Sequence, residues 1–266
     1  MSRKFLLILL SFTFMASKAQ NSSISKNVSS FSMYIPQLQC EKKIWVYLPY
    51  NYMETDKRFP VIYMHDGQNL FSDAFSNAGE WHIDEKLDSL KAQAIVIGIE
   101  HGGEKRLDEL TPYKNEKYGG GHANNYLDYV ATTLKPHIDD NFRTLKDRDN
   151  TVIFGSSVGG LASFYALLKF PKVFGKAGVF SPSFWFSEEI YDYVHKTDKI
   201  NAKIYFMAGD HESTEMVPDL DRMYDIAKHK VKDKKQLHKR IVYNGRHNET
   251  LWANEFVAAY LWLMEN

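Results

Sequence analysis

The chain of 266 residues contains a single cysteine, Cys40. One thiol cannot close an internal disulfide, so stability has to come from a packed core. Cys40 also lacks the setting of a nucleophile. The run QLQCEKK around it is polar and contains no tight turn, which reads as a half-exposed structural position. An excess charge of one sign is missing too. Lys plus Arg and Asp plus Glu each number 33, a formal net charge of zero, which excludes the basic footprint of a nucleic-acid binder or a polybasic membrane patch. No two of the ten histidines lie within four residues of each other, so the H-E-x-x-H and H-x-x-x-H spacings of a metal site are absent. DLDRMYD lacks the glycine and closing glutamate of a calcium loop. No G-x-G-x-x-G follows a strand-like run. Neither a metal nor a nucleotide cofactor is expected.

Long hydrophobic runs are also lacking. The most apolar stretch, Phe5 to Ala16, is too short to span a bilayer comfortably. Arg3 and Lys4 precede it, and Ser17 and Ala19 stand at the −3 and −1 positions of a cleavage site. This pattern is that of a secretory signal peptide over residues 1–19, removed before Gln20. It implies a secreted or periplasmic protein with no stable membrane insertion after cleavage. Residues 20–266 then form one domain. The Ser/Asn-rich NSSISKNVSS at its start has no periodicity and reads as a mobile leader.

What is present is an alternation of two patterns. SFSMYIP and KIWVYLP alternate apolar and polar residues, as an antiparallel pair does. PVIYMHDG, AIVIGIEHG, TVIFG, KAGVFSPS, KIYFMAG and KRIVYNG are short continuous apolar runs, the signature of strands buried on both faces. Helical spacing lies between them: Trp81, Leu87 and Leu90; Tyr126, Val130, Leu134 and Ile138; and Trp252, Phe256, Tyr260 and Leu263. Two antiparallel strands followed by alternating strands and helices predict a single α/β domain with a mostly parallel sheet covered on both faces.

One junction carries more than a turn. In TVIFGSSVGGLASFYALLKF, Gly155, Ser157 and Gly159 form G-x-S-x-G between a strand-like and a helix-like run. That is the setting of a nucleophile elbow, in which a strained turn holds the serine up and the helix N-terminus favours developing negative charge. Ser156 fails the frame, because Phe154 stands two residues before it. A base has to follow the last strand, and among the late histidines only His247, in YNGRHNETLW, stands there; His229 lies in a charged helix end and His238 before the strand. The acid that orients the base should follow KIYFMAG, where Asp210 and Glu212 both qualify. Backbone N–H groups of Val158 and of Gln68, in MHDGQNLF, are candidates for an oxyanion hole.

PVIYMHDGQNLF, ELTP, GSSVGGLASFYALLKFP, SPSFW and GRHNETLW, in this order, resemble the putative-esterase family of α/β-hydrolases, with its esterase D, feruloyl, acetylxylan and enterochelin esterase members. The resemblance covers nearly the whole chain after residue 19. It implies an α/β-hydrolase fold with an eight-stranded sheet and Ser157 as nucleophile, His247 as base, and Gln68 and Val158 at the oxyanion hole. The family spacing places the acid three residues after the glycine ending strand seven, which is Glu212. His65 departs from the apolar residue common beside DGQ and would alter the acyl pocket.

The function expected is hydrolysis of carboxylic esters through a Ser–acid–His triad and an acyl-enzyme, without a cofactor. About twenty residues separate strands six and seven, too few for a large cap, so the site should admit bulky esters. Phe184, Trp185 and Phe186 stand just past strand six; Trp185 is a candidate to stack on a sugar or aryl group, and FWF could equally be core. Acyl groups on carbohydrate are the leading substrate class. A siderophore ester is the alternative, with Arg106 and Lys105 as a cationic rim. A non-catalytic glycan-binding protein on the same fold is the third reading, disfavoured by an intact serine, acid and histidine in chain order.

Overall fold

The computed structural model describes residues 24–76 and 78–265. The proposed signal peptide lies outside them. Eight strands form one sheet in the order β1-β2-β4-β3-β5-β6-β7-β8. They are β1 Val28–Ile35, β2 Cys40–Tyr47, β3 Val61–His65, β4 Ile95–Ile99, β5 Thr151–Ser156, β6 Lys176–Phe180, β7 Lys203–Gly209 and β8 Leu237–Val242. β1 and β2 pair antiparallel, β2 joins β4 antiparallel, and every pairing from β4 through β8 is parallel. The strands expected from the continuous apolar runs are therefore the parallel ones.

Side chains alternate between the two faces of each strand, and the core is split accordingly. Tyr63, Ile97, Ile153, Val179 and Phe206 face one layer of helices. It comprises α3 Ala123–Tyr129 and α4 Lys135–Asn141, α5 Val158–Lys169, α6 Glu189–Lys196 and α7 Met216–Lys230, with the short α2 Arg106–Leu110 at its edge. Met64, Val96, Phe154, Phe180 and Met207 face the other layer, α1 Ile83–Ser89 and α8 Glu249–Met264. A π turn over Val130–Leu134 joins α3 to α4 without a break. Pro136, near the start of α4, has no N–H to donate into the preceding turn, which accounts for the wider ladder there.

The segment between β6 and β7 holds only a 3₁₀ turn, Phe184–Phe186, and α6, so no large cap stands over the site. Among the described residues no helix is long and apolar enough to cross a membrane. Two details depart from the sequence reading. The Ser/Asn-rich segment is not a mobile leader from Ser25 onward. Val28–Ser30 already pair with Trp45–Tyr47. Ser25 N–H donates to Asp84 Oδ2 (2.7 Å), and the Asn27 side-chain amide donates to Asp88 Oδ1 (2.9 Å). Polar composition hid the start of this strand and the residues leading into it, because Ser25 and Asn27 are anchored by carboxylates on α1 rather than by an apolar face. His238 lies within β8, stacked on Tyr205 at 4.5 Å, rather than before the strand.

Candidate active site

The turn from β5 into α5 holds Ser157 at φ 59° and ψ −126°, a strained conformation for a residue with a side chain. Its backbone is stitched to the end of β6: Ser157 N–H donates to Phe180 O (2.9 Å), and Ser183 N–H donates to Ser157 O (3.1 Å). A Cβ on Gly155 would lie 2.7 Å from Gly159 C and O, so the spacing of G-x-S-x-G is a close-approach requirement of this turn. Val158 is the first residue of α5, and its N–H has no acceptor within the helix.

Glu212 follows β7 and is buried; His247 follows β8 and is about one-third exposed. His247 Nδ1 is 2.6 Å from Glu212 Oε2, and Nε2 is 3.0 Å from Ser157 Oγ. With Nδ1–H donated to the carboxylate, Nε2 is left to accept from the serine hydroxyl. The second carboxylate oxygen, Oε1, accepts from Gly209 N–H and from the Ser181 hydroxyl (2.7 Å). Ser181 in turn accepts from Trp252 Nε1 (2.8 Å), whose ring stands perpendicular to His247 at 4.9 Å. Sequence reasoning missed Ser181 and Trp252, although both lie within the SPSFW and GRHNETLW segments. Of the two carboxylates that the residues left open, Asp210 turns away: its Oδ1 is 2.7 Å from His211 Nδ1.

The loop after β3 approaches the elbow from the other side. Asp66 adopts φ 57°, and Gly67–Asn69 form a 3₁₀ turn. Asn69 N–H closes that turn on Asp66 O (2.9 Å), so Gln68 N–H lies ahead of its first bond. A Cβ on Gly67 would sit 2.6 Å from the β4 backbone, which seats the loop on that strand. The Gln68 side-chain carbonyl accepts from His101 N–H (3.3 Å). Arg106, the first residue of α2, grips Asp66 with both arms, Nε to Oδ1 at 2.7 Å and Nη2 to Oδ2 at 2.8 Å. Burial works against the Asp66 carboxylate, yet the guanidinium holds its pKa below the ordinary value. The guanidinium is thus engaged within the protein, next to the loop that carries Gln68. α2 is fixed in turn by Glu109, which accepts from Lys42 Nζ (2.8 Å) in a buried pair and from Gly102 N–H (2.8 Å).

His65 does not line an acyl pocket. Its ring lies beneath the elbow, where Cβ positions on Gly155 and Gly159 would meet it, and Nδ1 is 2.8 Å from Tyr126 OH. Burial pushes its pKa down to about 4, so the ring is neutral at pH 7.

A cleft of about 380 Å³ opens over the serine, lined by Ser157, Ser183, Trp185, Glu212, Met216 and His247 among others. Ser183 Oγ is 3.4 Å from Ser157 Oγ. The FWF run divides: Phe184 and Phe186 are core, whereas Trp185 is 46% exposed. The Trp185 ring meets edge-on that of Tyr118, equally exposed, at 5.7 Å. Asn115 ties the Tyr118 loop to this turn by donating to Phe186 O (2.7 Å). Tyr118 had no sequence signal beyond its place in a glycine-rich loop.

One group of side chains could accept a metal ion. Glu80, His82 and Glu85 bring ligand atoms within 4.8 Å of one another, a spacing that a search for histidine pairs does not detect. Glu80 Oε2 already accepts from Asp73 N–H (3.0 Å), and His82 Nδ1 stands 3.5 Å from each glutamate.

Comparison with known proteins agrees with this architecture. The model of a family described as putative esterase matches residues 35–263. The uncharacterized protein YbbA of Bacillus subtilis (strain 168) is 27% identical over 244 residues, which are 84% of this chain and 92% of that protein. A Xylanibacter ruminicola protein named endo-1,4-beta-xylanase/feruloyl esterase is 29% identical over 183 residues, 64% of this chain but 23% of its own length. Among solved structures, the enterobactin esterase FES from Shigella flexneri superposes with a TM-score of 0.71 at 15% identity, over 91% of this chain and 60% of that one.

Proposed function

Because this chain belongs to the putative-esterase family, and is with it a carboxylic ester hydrolase of α/β-hydrolase fold, we propose that it works as a serine esterase through Ser157, His247 and Glu212. The observation that carries this reading is the unbroken hydrogen-bond line from Glu212 through His247 to a serine held on a strained elbow. In the proposed cycle His247 Nε2 takes the Ser157 proton as Oγ attacks the ester carbonyl. Glu212 keeps the imidazole in the required tautomer and stabilises the imidazolium. The N–H groups of Val158 and Gln68 receive the oxyanion of the tetrahedral intermediate. His247 then protonates the departing alcohol, and water, deprotonated by the same imidazole, releases the acid from the acyl-enzyme. No step calls for a cofactor. A fluorophosphonate probe tests this: Ser157 should be labelled, and the Ser157→Ala protein should not. Labelling that persists in the variant defeats the reading.

For substrate, the same reading takes acyl esters on carbohydrate, acetyl or feruloyl in the first instance. It draws support from the uncapped cleft, from the exposed Trp185 and Tyr118 rings at its rim, and from the relative named a feruloyl esterase. The siderophore alternative wanted Arg106 and Lys105 as a cationic rim; the Arg106 guanidinium is engaged by Asp66, which leaves Lys105 alone for that role. Rates on acetylated xylan oligosaccharides, methyl ferulate, a catecholate siderophore and a long-chain triglyceride decide between them. A preference for either of the last two overturns the carbohydrate-ester reading. The reading also has the enzyme exported by residues 1–19 into the periplasm or medium, for which an N-terminus at Gln20 in the cell-derived protein is the test.

A further inference from the structure

At the opposite end of the sheet lies a larger cleft, of about 690 Å³. It sits about 20 Å from Ser157, the length of a six-residue strand. It is formed where β6 and β7 begin, between the turn preceding β5 and the C-terminal end of α8. Arg148, Lys176, Lys203 and Lys235 bring four cations to it, against the carboxylates of Asp149 and Glu265.

These cations are not equally engaged. Arg148 donates to Pro171 O, to Asn201 O and to Asp149, and Lys203 donates to Trp262 O (2.6 Å) and Glu265 O (2.7 Å) at the end of α8. Lys176 and Lys203 are direct register partners on adjacent parallel strands. Their side chains therefore leave the sheet on the same face, an unfavourable arrangement for like charges. Among the described residues the Lys176 and Lys235 ammonium groups have no hydrogen bond or ion pair. Burial and the neighbouring Lys203 lower the Lys176 pKa below the ordinary lysine value. Asp149 and Asp147 pull the other way without reaching contact distance, so a half-buried ammonium stands beside another, in a cavity within the size range of small-molecule sites, with no direct partner.

We propose that this cleft binds an oxyanion, a carboxylate or phosphate group, between Lys176 and Lys235, with Trp262 forming the wall against its carrier. The site is independent of the ester chemistry. Should the substrate be a carbohydrate ester, an acidic sugar held here would tether the enzyme to its polymer.

Titration calorimetry and thermal unfolding of the full chain test it. The probes are a galacturonate trimer and inorganic phosphate, with xylotriose and sodium chloride at matched ionic strength as controls. The wild type should bind at least one of the anions and neither control. Lys176→Gln should weaken that binding at least tenfold, Lys235→Gln less, and Lys176→Arg should retain it. Hydrolysis of p-nitrophenyl acetate should be unchanged in all three. Binding of the trimer alone identifies a sugar carboxylate, and binding of phosphate alone a phosphoryl ligand. Binding of neither, or equal binding by wild type and Lys176→Gln, overturns the proposal. So does a thermal shift that follows ionic strength alone.

Discussion

The sheet carries charged groups at both of its ends, and the two ends treat them differently. Around Ser157, Glu212 is held by His247, Ser181 and Gly209, and Asp66 by both arms of Arg106. Behind them Glu109 is held by Lys42 and Gly102. At the starts of β6 and β7, Lys176 faces Lys203 and makes no hydrogen bond or ion pair among the described residues, although the Asp149 and Asp147 carboxylates act on it from a distance. Ion pairing at the first end fixes loops that would otherwise wander, and groups proposed to act on an ester have to be in place before the substrate arrives. At the second end Arg148 and Lys203 are held in the same way, but Lys176 and Lys235 have no direct partner, and these two are the basis for assigning it a ligand.

The largest expected effect sharpens this contrast at its centre. Ser157→Ala should lower p-nitrophenyl acetate hydrolysis by about 10⁴-fold or more while the unfolding midpoint barely moves, since members of a triad act as a unit. Ser156→Ala should cost far less. Equal losses would mean that the strained turn presents the wrong serine. Next come the two carboxylates after β7. Glu212→Gln should lose roughly 10³- to 10⁴-fold in kcat, as triad acids do. Asp210→Asn should keep most activity, because its partner is His211. The reverse order, measured under saturating substrate, would remove the Glu212–His247–Ser157 hydrogen-bond line from the mechanism.

How far the sequence reveals this contrast depends on which residues carry it. The six parallel strands are legible because each is a short apolar run, and the elbow because two glycines have to lie against each other; only β8 is misjudged as buried on both faces, since it is an edge strand and leaves Lys239, Arg240 and Ile241 exposed. His247 is legible from its place after the last strand. The identity of the acid is not: Asp210 and Glu212 are both within reach by spacing, and only the fold turns one to the imidazole and the other to solvent. Arg106 reads as a substrate-facing cation because no local pattern links residue 106 to residue 66. Ser181 and Trp252, which position Glu212, are 71 residues apart in the chain. Tyr118 meets Trp185 through two loops that meet only in the folded chain. Contacts of this kind leave no periodicity for a sequence to show.

Arg106 allows the two ends to be compared directly by rate. Arg106→Gln frees the loop bearing Gln68, and a displacement of about 1 Å there costs up to ~10²-fold. A fall in kcat of about 10- to 100-fold is therefore expected on the uncharged substrate p-nitrophenyl acetate, with KM nearly constant and partial recovery in Arg106→Lys. Lys176→Gln should leave both constants unchanged. A rise in KM alone for Arg106→Gln would instead make it a substrate contact.

The smallest effect concerns stability, and there the two ends should differ in sign. Arg106→Met leaves the largely buried Asp66 carboxylate without its guanidinium. Asp66 retains some access to water, so the cost is about 1–3 kcal/mol rather than that of a fully buried broken pair. For a chain of this size that lowers the unfolding midpoint by about 2–10 °C. Lys176→Met removes an ammonium from beside Lys203 and breaks no direct ion pair, losing only the longer-range attraction of Asp149 and Asp147. Relief of a like-charge strand pair is worth up to about 1 kcal/mol, a rise of roughly 1–3 °C. Because Lys176 is only half-buried, the gain should shrink in 0.5 M salt, where exposed charges are screened within a few ångströms. Thermal unfolding at low and high salt reads both changes. If Lys176→Met lowers the midpoint as Arg106→Met does, the two ends of the sheet are built alike, and Lys176 is a structural cation rather than one in need of a partner.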